Sequence, residues 1–258
     1  INSGVKQNGK ITAWSFVNVN GGGAALDAPY TFANVHLENK RADSPLRQGA
    51  YRATAATVNN HARETHIDEI ARTLDMDPVA LRLKNLDDNR MITVLQTTAE
   101  KFGWKDRKPV DGKGYGIACG FDRGGYVGTA VEISVDERDG DVRVDRIVAV
   151  FECGAIINPE NVENQAVGAI IQGMGGALFE QIDYEDGRIL NSRMKQYRVP
   201  RFSDVPPIEM HLLDRKDIPS AGAGEAPIIC IAPAIGNAIF DATGKRLRNL
   251  PFARDGLA

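Results

Sequence analysis

The feature that most restricts what this chain can fold into is a change of hydrophobic period at Gly114. Upstream, ATAATVNNHARETHIDEIARTLDM places Val58, Ala62, Ile67, Ile70, Ala71 and Leu74 at near-helical spacing, with acids and arginines on the other face. That pattern predicts an amphipathic helix. Asp77 followed by Pro78 is a helix cap and first-turn proline, so DPVALRLKNL opens a second helix at once, and TVLQTTAEKFGW reads as a third. Beyond the polar loop DRKPVDGKG the period becomes two. GYGIACGF, TAVEISVDE and VRVDRIVAVFECG alternate or run apolar, and Arg138-Asp139-Gly140-Asp141 separates the last two as a hairpin turn. Helices gathered beside strands without a regular βαβ rhythm predict an α+β fold of mixed sheets with packed helices.

The remaining segments fill in this plan. GKITAWSFVNVNGGG reads as a strand closed by three glycines, followed by irregular chain up to Arg47. After Asn158-Pro159, NVENQAVGAIIQGMGGALFEQ reads as a helix. YEDGRILN and PPIEMHLLD suggest further strands, and Ala232 to Leu247 a final helix with Pro233 in its first turn. The expected division is residues 1–112, with the helix cluster at 54–104, and residues 113–258.

Composition enters by exclusion. Over 258 residues the net charge is −3 with no basic block, which gives no case for nucleic acid or an anionic membrane and leaves a small-molecule substrate as the expected partner. No apolar run approaches the roughly 20 residues a membrane span needs, and INSGVKQNGK lacks a signal-peptide layout. The start at Ile1 rather than Met suggests a processed product or the C-terminal piece of something longer. Cys119, Cys153 and Cys230 lie far apart, so no self-contained zinc or iron–sulfur site is expected from them. The chain also lacks G-x-x-x-x-G-K-[ST], G-x-S-x-G and H-E-x-x-H.

Two segments carry chemistry. In SAGAGEAPIICIAP the turn Gly222-Ala223-Gly224 and Pro227 hold Glu225 in place rather than leaving it loose. Glu225 is a candidate general base; it also suits the dipole of the following helix, and both readings stay open. GAGEAP has Pro227 where a dinucleotide fingerprint needs its last small residue, and no strand runs directly into it, so a Rossmann site is not expected. The helix after Asn158 carries Gly168, Gly173, Gly175 and Gly176, each costing about 0.8–1 kcal/mol against alanine. Either tight packing or a bulky ligand must offset that. Gln165 and Gln172 lie on nearly one face of this helix, and Arg52 precedes the first helix, able to meet an anion or to pair with a helix acid. A hydrolase built on Glu225 and a histidine such as His211 would need those groups within hydrogen-bond reach.

In order, QGAYRA, DPVALRLKNL, ECGAIINPENVENQAVGAIIQGMGGALFE, and GAGEAP with APAIGNAI resemble the molybdenum-binding subunit of the xanthine dehydrogenase and aldehyde oxidase family, isoquinoline 1-oxidoreductase type. The resemblance covers nearly the whole chain and implies the C-terminal part of the molybdopterin-binding region. It implies that Glu225 is the catalytic base, taking a proton from a metal-bound hydroxide as an aldehyde or N-heterocycle is hydroxylated. It implies cofactor contacts at Gly49, Ala50, Tyr51, Arg52, Gln165 and Gly224, and no side-chain ligand to the metal. The implied cofactor is molybdopterin, including its cytosine dinucleotide form. The implied partners are the upstream part of the subunit and a [2Fe-2S] small subunit, which carries the iron–sulfur clusters. RQGAYRATA lacks the F-G that follows this arginine in xanthine dehydrogenases. The alternative is a non-catalytic fragment or paralogue acting as a scaffold.

Overall fold

The computed structural model describes residues 1–44, 49–136 and 140–252. Arg47 and Gln48 of RQGAYRA and Arg138 and Asp139 of the expected hairpin turn lie outside the described residues. The fold is α+β, as the change of period predicts.

Its centre is a four-stranded sheet of β4 (Lys113–Asp122), β5 (Gly125–Val135), β6 (Val142–Glu152) and β9 (Ile208–Leu213), in that order. The first three are antiparallel, and β9 adds in parallel to β6. Period-two patterning puts opposite sets on opposite faces. Ile117, Cys119, Ala130 and Val148 join one buried cluster, and Ala118, Val131, Ile147 and Ala149 join another. The second cluster packs under α4 (Pro159–Leu178) and α5 (Ile231–Thr243). Here Gly114 and Gly116 let α5 lie directly on β4, because a Cβ at either would run into the carbonyls of Ala238 and Ala234. Contrary to the expectation that no run approaches a span, residues 226–243 are apolar enough to cross a membrane by length and composition, but 78% of that stretch is buried within the protein. Hydropathy there reflects a core helix.

The other face carries α2 (Pro78–Asn85) and α3 (Asn89–Phe102), with α1 (Ala55–Thr73) alongside. The Asp77 carboxylate accepts from the Val79 and Ala80 amides, as the cap reading predicts. Helix α3 begins a turn earlier than predicted, because Asp88 accepts from Arg90 N at 2.8 Å. Helix α5 ends at Thr243 rather than Leu247, where Gly244 takes φ +70° and stops it.

Two expectations are corrected. The chain after the three glycines is not irregular throughout: Asn34–Lys40 forms β3, pairing in parallel with β2 (Ile11–Val19), while β1 (Asn2–Val5) pairs antiparallel on the other side. β3 is mostly polar and largely exposed, with only Val35 and Leu37 alternating, too short a signal to mark a strand; pairing with the free edge of β2 makes it one. Second, the polar face of α1 does not meet water. Asn59, Asn60, Arg63, Glu64 and Asp68 are all buried. Glu64 accepts from Arg82 Nε at 2.9 Å, Tyr30 OH at 2.7 Å and Cys119 N at 3.0 Å, and Arg82 also donates to the carbonyls of Glu64 and Pro78. Partners distant in sequence thus surround the Glu64–Arg82 pair with hydrogen bonds, which is what makes a buried pair tolerable. β7 (Tyr184–Glu185) and β8 (Arg188–Ile189) form a small separate hairpin.

Candidate functional site

Three segments meet at one end of the central sheet: the approach to α1, the N-terminal half of α4, and the turn that leads into α5. The approach is conformationally costly. Ala53 and Thr54 take φ +63° and +48°, a region non-glycine residues avoid at about 1–3 kcal/mol each. Ala53 is fully buried in the core, and Thr57 Oγ1 donates to the Arg52 carbonyl at 2.9 Å, so surrounding packing enforces the turn. Its effect is to send the Arg52 side chain away from α1.

Arg52 Nε donates to the Gly224 carbonyl at 2.7 Å, and its Nη2 donates to the Gln165 side-chain oxygen at 3.2 Å and carbonyl at 3.3 Å. Three of the sequence candidates are thereby brought together. Burial holds the guanidinium below its ordinary value, with the charge of Glu225 acting in the opposite sense. Tyr51 OH donates to the Gln172 carbonyl at 2.9 Å and lies 3.1 Å from where a Cβ of Gly176 would stand. Burial first, then the charge of Glu180, raises that phenol. Gly49 and Ala50 are exposed, and a Cβ at Gly49 would meet nothing within 4 Å.

The glycines of α4 divide into two kinds. A Cβ at Gly173 would collide with Ile231 and lie 2.9 Å from Ile228 Cγ1, and one at Gly175 would lie 2.8 Å from Pro200 Cδ. Those two glycines serve packing. Gly168, between Gln165 and Gln172 on the same face, meets nothing within 4 Å. Gly222 (φ +83°) and Gly224 are open in the same way. A recess of about 220 Å³ adjoins this surface, lined by Cys153, Asn158, Asn161, Gln165, Ser220 and Gly222 among others. Open glycine faces beside a guanidinium and an amide fit a flat, polar, many-bonded group such as a pterin. Among the described residues no three His, Cys, Asp or Glu side chains gather to hold a metal ion.

Glu225 stands at the N-cap position of the short turn at 226–228 that leads into α5, and its side chain makes no capping bond there. Its carboxylate pairs with Arg123, a residue the sequence reading did not single out. Arg123 and Gly124, at φ +50° and +82°, form the two-residue turn between β4 and β5, where Asp122 pairs with Gly125. The sequence signal was present as D-R-G-G between two alternating runs, the mark of a tight hairpin. What lies beside that hairpin is tertiary. Asp122 is buried, its Oδ2 without a hydrogen bond but 3.8 Å from Arg123 Nε; burial, and then the nearby Glu225, push its carboxyl up, against the pull of Arg123. His211 sits on β9 opposite Val150, its Nε2 without a partner, and no hydrogen bond joins it to Glu225 among the described residues. The hydrolase geometry is absent there.

The molybdopterin cofactor-binding domain family matches residues 7–206, which include Arg52 and Gln165 and end before Glu225. The chain belongs to this family. It is a portion of a molybdenum-binding subunit of the xanthine dehydrogenase type. A nicotinate dehydrogenase subunit of Pseudomonas putida is 32% identical over 244 residues, which cover 88% of this chain and 20% of that protein. The beta subunit of isoquinoline 1-oxidoreductase from Brevundimonas diminuta is 33% identical over 193 residues, 74% of this chain and 25% of its own length. The aldehyde oxidoreductase molybdenum-binding subunit of Escherichia coli is 37% identical over 139 residues, 51% of this chain and 19% of that one. This chain thus spans a quarter or less of these relatives. In fold, it superposes on aldehyde oxidoreductase from Desulfovibrio gigas with a TM-score of 0.80 at 17% identity, covering 97% of this chain and 47% of that one.

Proposed function

We propose that this chain forms part of the cofactor cradle of a molybdenum hydroxylase and supplies its catalytic base, Glu225, for hydroxylation of an aldehyde or N-heterocycle with oxygen from water. The observation that carries the reading is the set of hydrogen bonds from Arg52 to Gly224 and Gln165. They join three segments distant in sequence directly beside Glu225. Open faces at Gly168, Gly222 and Gly224 support a ligand there, against the alternative of a scaffold packed by its own side chains. The names of the relatives span nicotinate, isoquinoline and aldehydes, hence the two substrate classes.

When bound, the molybdenum–pterin group supplies a two-electron acceptor and a metal centre that acidifies water. The work of this chain is to hold and orient. Arg52, Gln165 and the backbone of Gly49, Ala50 and Gly224 would hold the pterin by hydrogen bonds, with Tyr51 fixed by its bond to Gln172. Glu225 receives the proton at a carboxylate oxygen. Residues 1–112 contribute Arg52 and residues 113–258 contribute Gln165 and Glu225, so the two parts build one cradle. The remaining contacts, and the cytosine dinucleotide end of the cofactor, fall to the upstream part of the subunit. A [2Fe-2S] small subunit takes the electrons.

In the assembled enzyme, Glu225→Gln is expected to lower turnover by about 10²–10⁴-fold with molybdenum content unchanged. Turnover retained in that variant refutes the base role. Arg52→Ala is expected to lower molybdenum content, measured by elemental analysis.

A further inference from the structure

A base that accepts a proton beside an arginine leaves that arginine without its anion. Arg123 pairs with Glu225, and its Nε also stands 3.8 Å from Asp122 Oδ2. One guanidinium thus lies between two carboxylates. Asp122 is buried and its Oδ2 has no hydrogen bond, a condition that is costly for a carboxylate unless a charge answers it. Among the described residues, Arg123 is the cation within ion-pair reach of it.

The hairpin fixes where the two acids stand. Asp122 pairs with Gly125 across the β4–β5 turn, and Arg123 takes φ +50° within it. Arg90 Nη2 donates to the Gly124 carbonyl at 3.0 Å. A Cβ at Gly124 would lie 3.0 Å from Ala221, and one at Gly125 3.1 Å from Ala226, so the hairpin is seated against both flanks of the Glu225 turn. The Arg123 side chain, 64% exposed against 8% for Asp122 and 31% for Glu225, is the movable member.

Other charges nearby do not replace Asp122. Arg52, from the approach to α1, acts on Glu225 at longer range: no ion pair joins the two among the described residues, and its Nε and Nη2 donate to Gly224 and Gln165. Arg90 of α3 is matched by two bonds to Glu152 of β6, and α4 presents the uncharged Gln165 amide. Burial pushes the Asp122 carboxyl up, Arg123 draws it down, and the charge of Glu225 pushes it up again, so the two acids sense one another. Two acids sharing one guanidinium take up a proton more readily than a single carboxylate paired with it.

Resting on the reading of Glu225 as the base, we propose that Asp122 is a positioning residue for it: Arg123 pairs with Glu225 while Glu225 is ionised and turns to Asp122 as Glu225 takes up a proton. The guanidinium then keeps an anion throughout, and the protonated base is stabilised. A lone Glu–Arg pair would resist the proton that the reaction delivers.

The test uses the assembled enzyme carrying Asp122→Asn, which keeps the shape of the side chain and removes its charge. The acidic limb of the pH profile of kcat/KM is expected to move down by about one pH unit, the effect of losing a like charge nearby, with a lower plateau above it. Arg123→Gln is expected to move the limb up, because both acids then lack their cation. Infrared difference spectra across pH give a readout independent of turnover: the carboxylic-acid band that is missing from Glu225→Gln is expected to appear at lower pH in Asp122→Asn than in wild type. Asp122→Ser, smaller and also uncharged, is read in the same way where Asp122→Asn does not assemble. A loss of activity with limb and band unmoved assigns Asp122 to structure alone and overturns the proposal. Turnover retained in Glu225→Gln refutes the base reading instead, and the infrared band then still decides whether the two acids share Arg123.

Discussion

The same substitution at two positions of α4 is expected to have opposite effects. Gly168→Ala places a methyl group in open space, with nothing within 4 Å, so the variant gains about 0.8–1 kcal/mol of helix propensity. Gly173→Ala gains the same propensity but forces its methyl into Ile231 and to 2.9 Å from Ile228, both fully buried at the start of the α5 region. Those side chains are packed against the sheet and cannot yield without moving the turn that bears Glu225. Overpacking of this kind costs about 1–3 kcal/mol, so Gly173→Ala is expected to be net destabilising by up to about 2 kcal/mol. Urea unfolding of the two variants, followed by far-ultraviolet circular dichroism, reads the difference as midpoints moving in opposite directions. Assembled with its partners, Gly168→Ala is also expected to lose molybdenum, because the space the methyl fills is the space proposed for the pterin. Midpoints shifting in the same direction, or a Gly168→Ala enzyme with full molybdenum content, refute the division of these glycines into packing and ligand-facing kinds.

Other consequences concern the buried polar groups. Arg82→Met leaves Glu64 buried with an unpaired charge and is expected to cost about 3–5 kcal/mol; the double variant with Glu64→Gln recovers part of that loss in a double-mutant cycle. Burial first, then Arg246, lowers His61 to about 4, and its Nδ1 has no partner. A depressed value means the unfolded chain takes the proton first, so stability present above about pH 6.5 is lost as pH falls toward 4, by an amount on the order of 3 kcal/mol. His61→Phe is expected to flatten that stretch of the stability–pH curve, measured as urea midpoints at successive pH values. Arg90→Met removes the bond to the Gly124 carbonyl and leaves the buried Glu152 unpaired. It is expected to lower stability by more than about 1 kcal/mol, read as a shift in the urea midpoint.

Local rules carried the reading of this chain a long way. The period change at Gly114 marked where helices give way to the sheet, because side-chain repeat follows backbone geometry and needs no knowledge of neighbours. The cap at Asp77 with Pro78 was equally legible, acting within one turn of chain, whereas Asn158, read only as the end of the sheet, proves to cap α4 with Pro159 as its first residue. Arg52, Gln165 and Glu225 stood out through glycine burden, spacing and motif order. What the sequence could not decide is what each polar group faces. The polar face of α1 looks like a solvent face because Glu64, Arg63 and Asp68 are charged; only the arrival of Arg82, Tyr30 and the Cys119 amide turns it into an interior network. β3 is a strand chiefly because β2 offers an edge, its own alternation being limited to Val35 and Leu37. Gly168 and Gly173 are the same letter in one helix, yet α5 lies against only one of them. Arg123 and Glu225, about a hundred residues apart, become partners because the β4–β5 hairpin and the turn into α5 end at the same edge of the core. Periodicity and capping are interactions within a few residues and are written in order along the chain. Burial and pairing depend on which segments pack together, so the tertiary structure alone sets the electrostatics of the site.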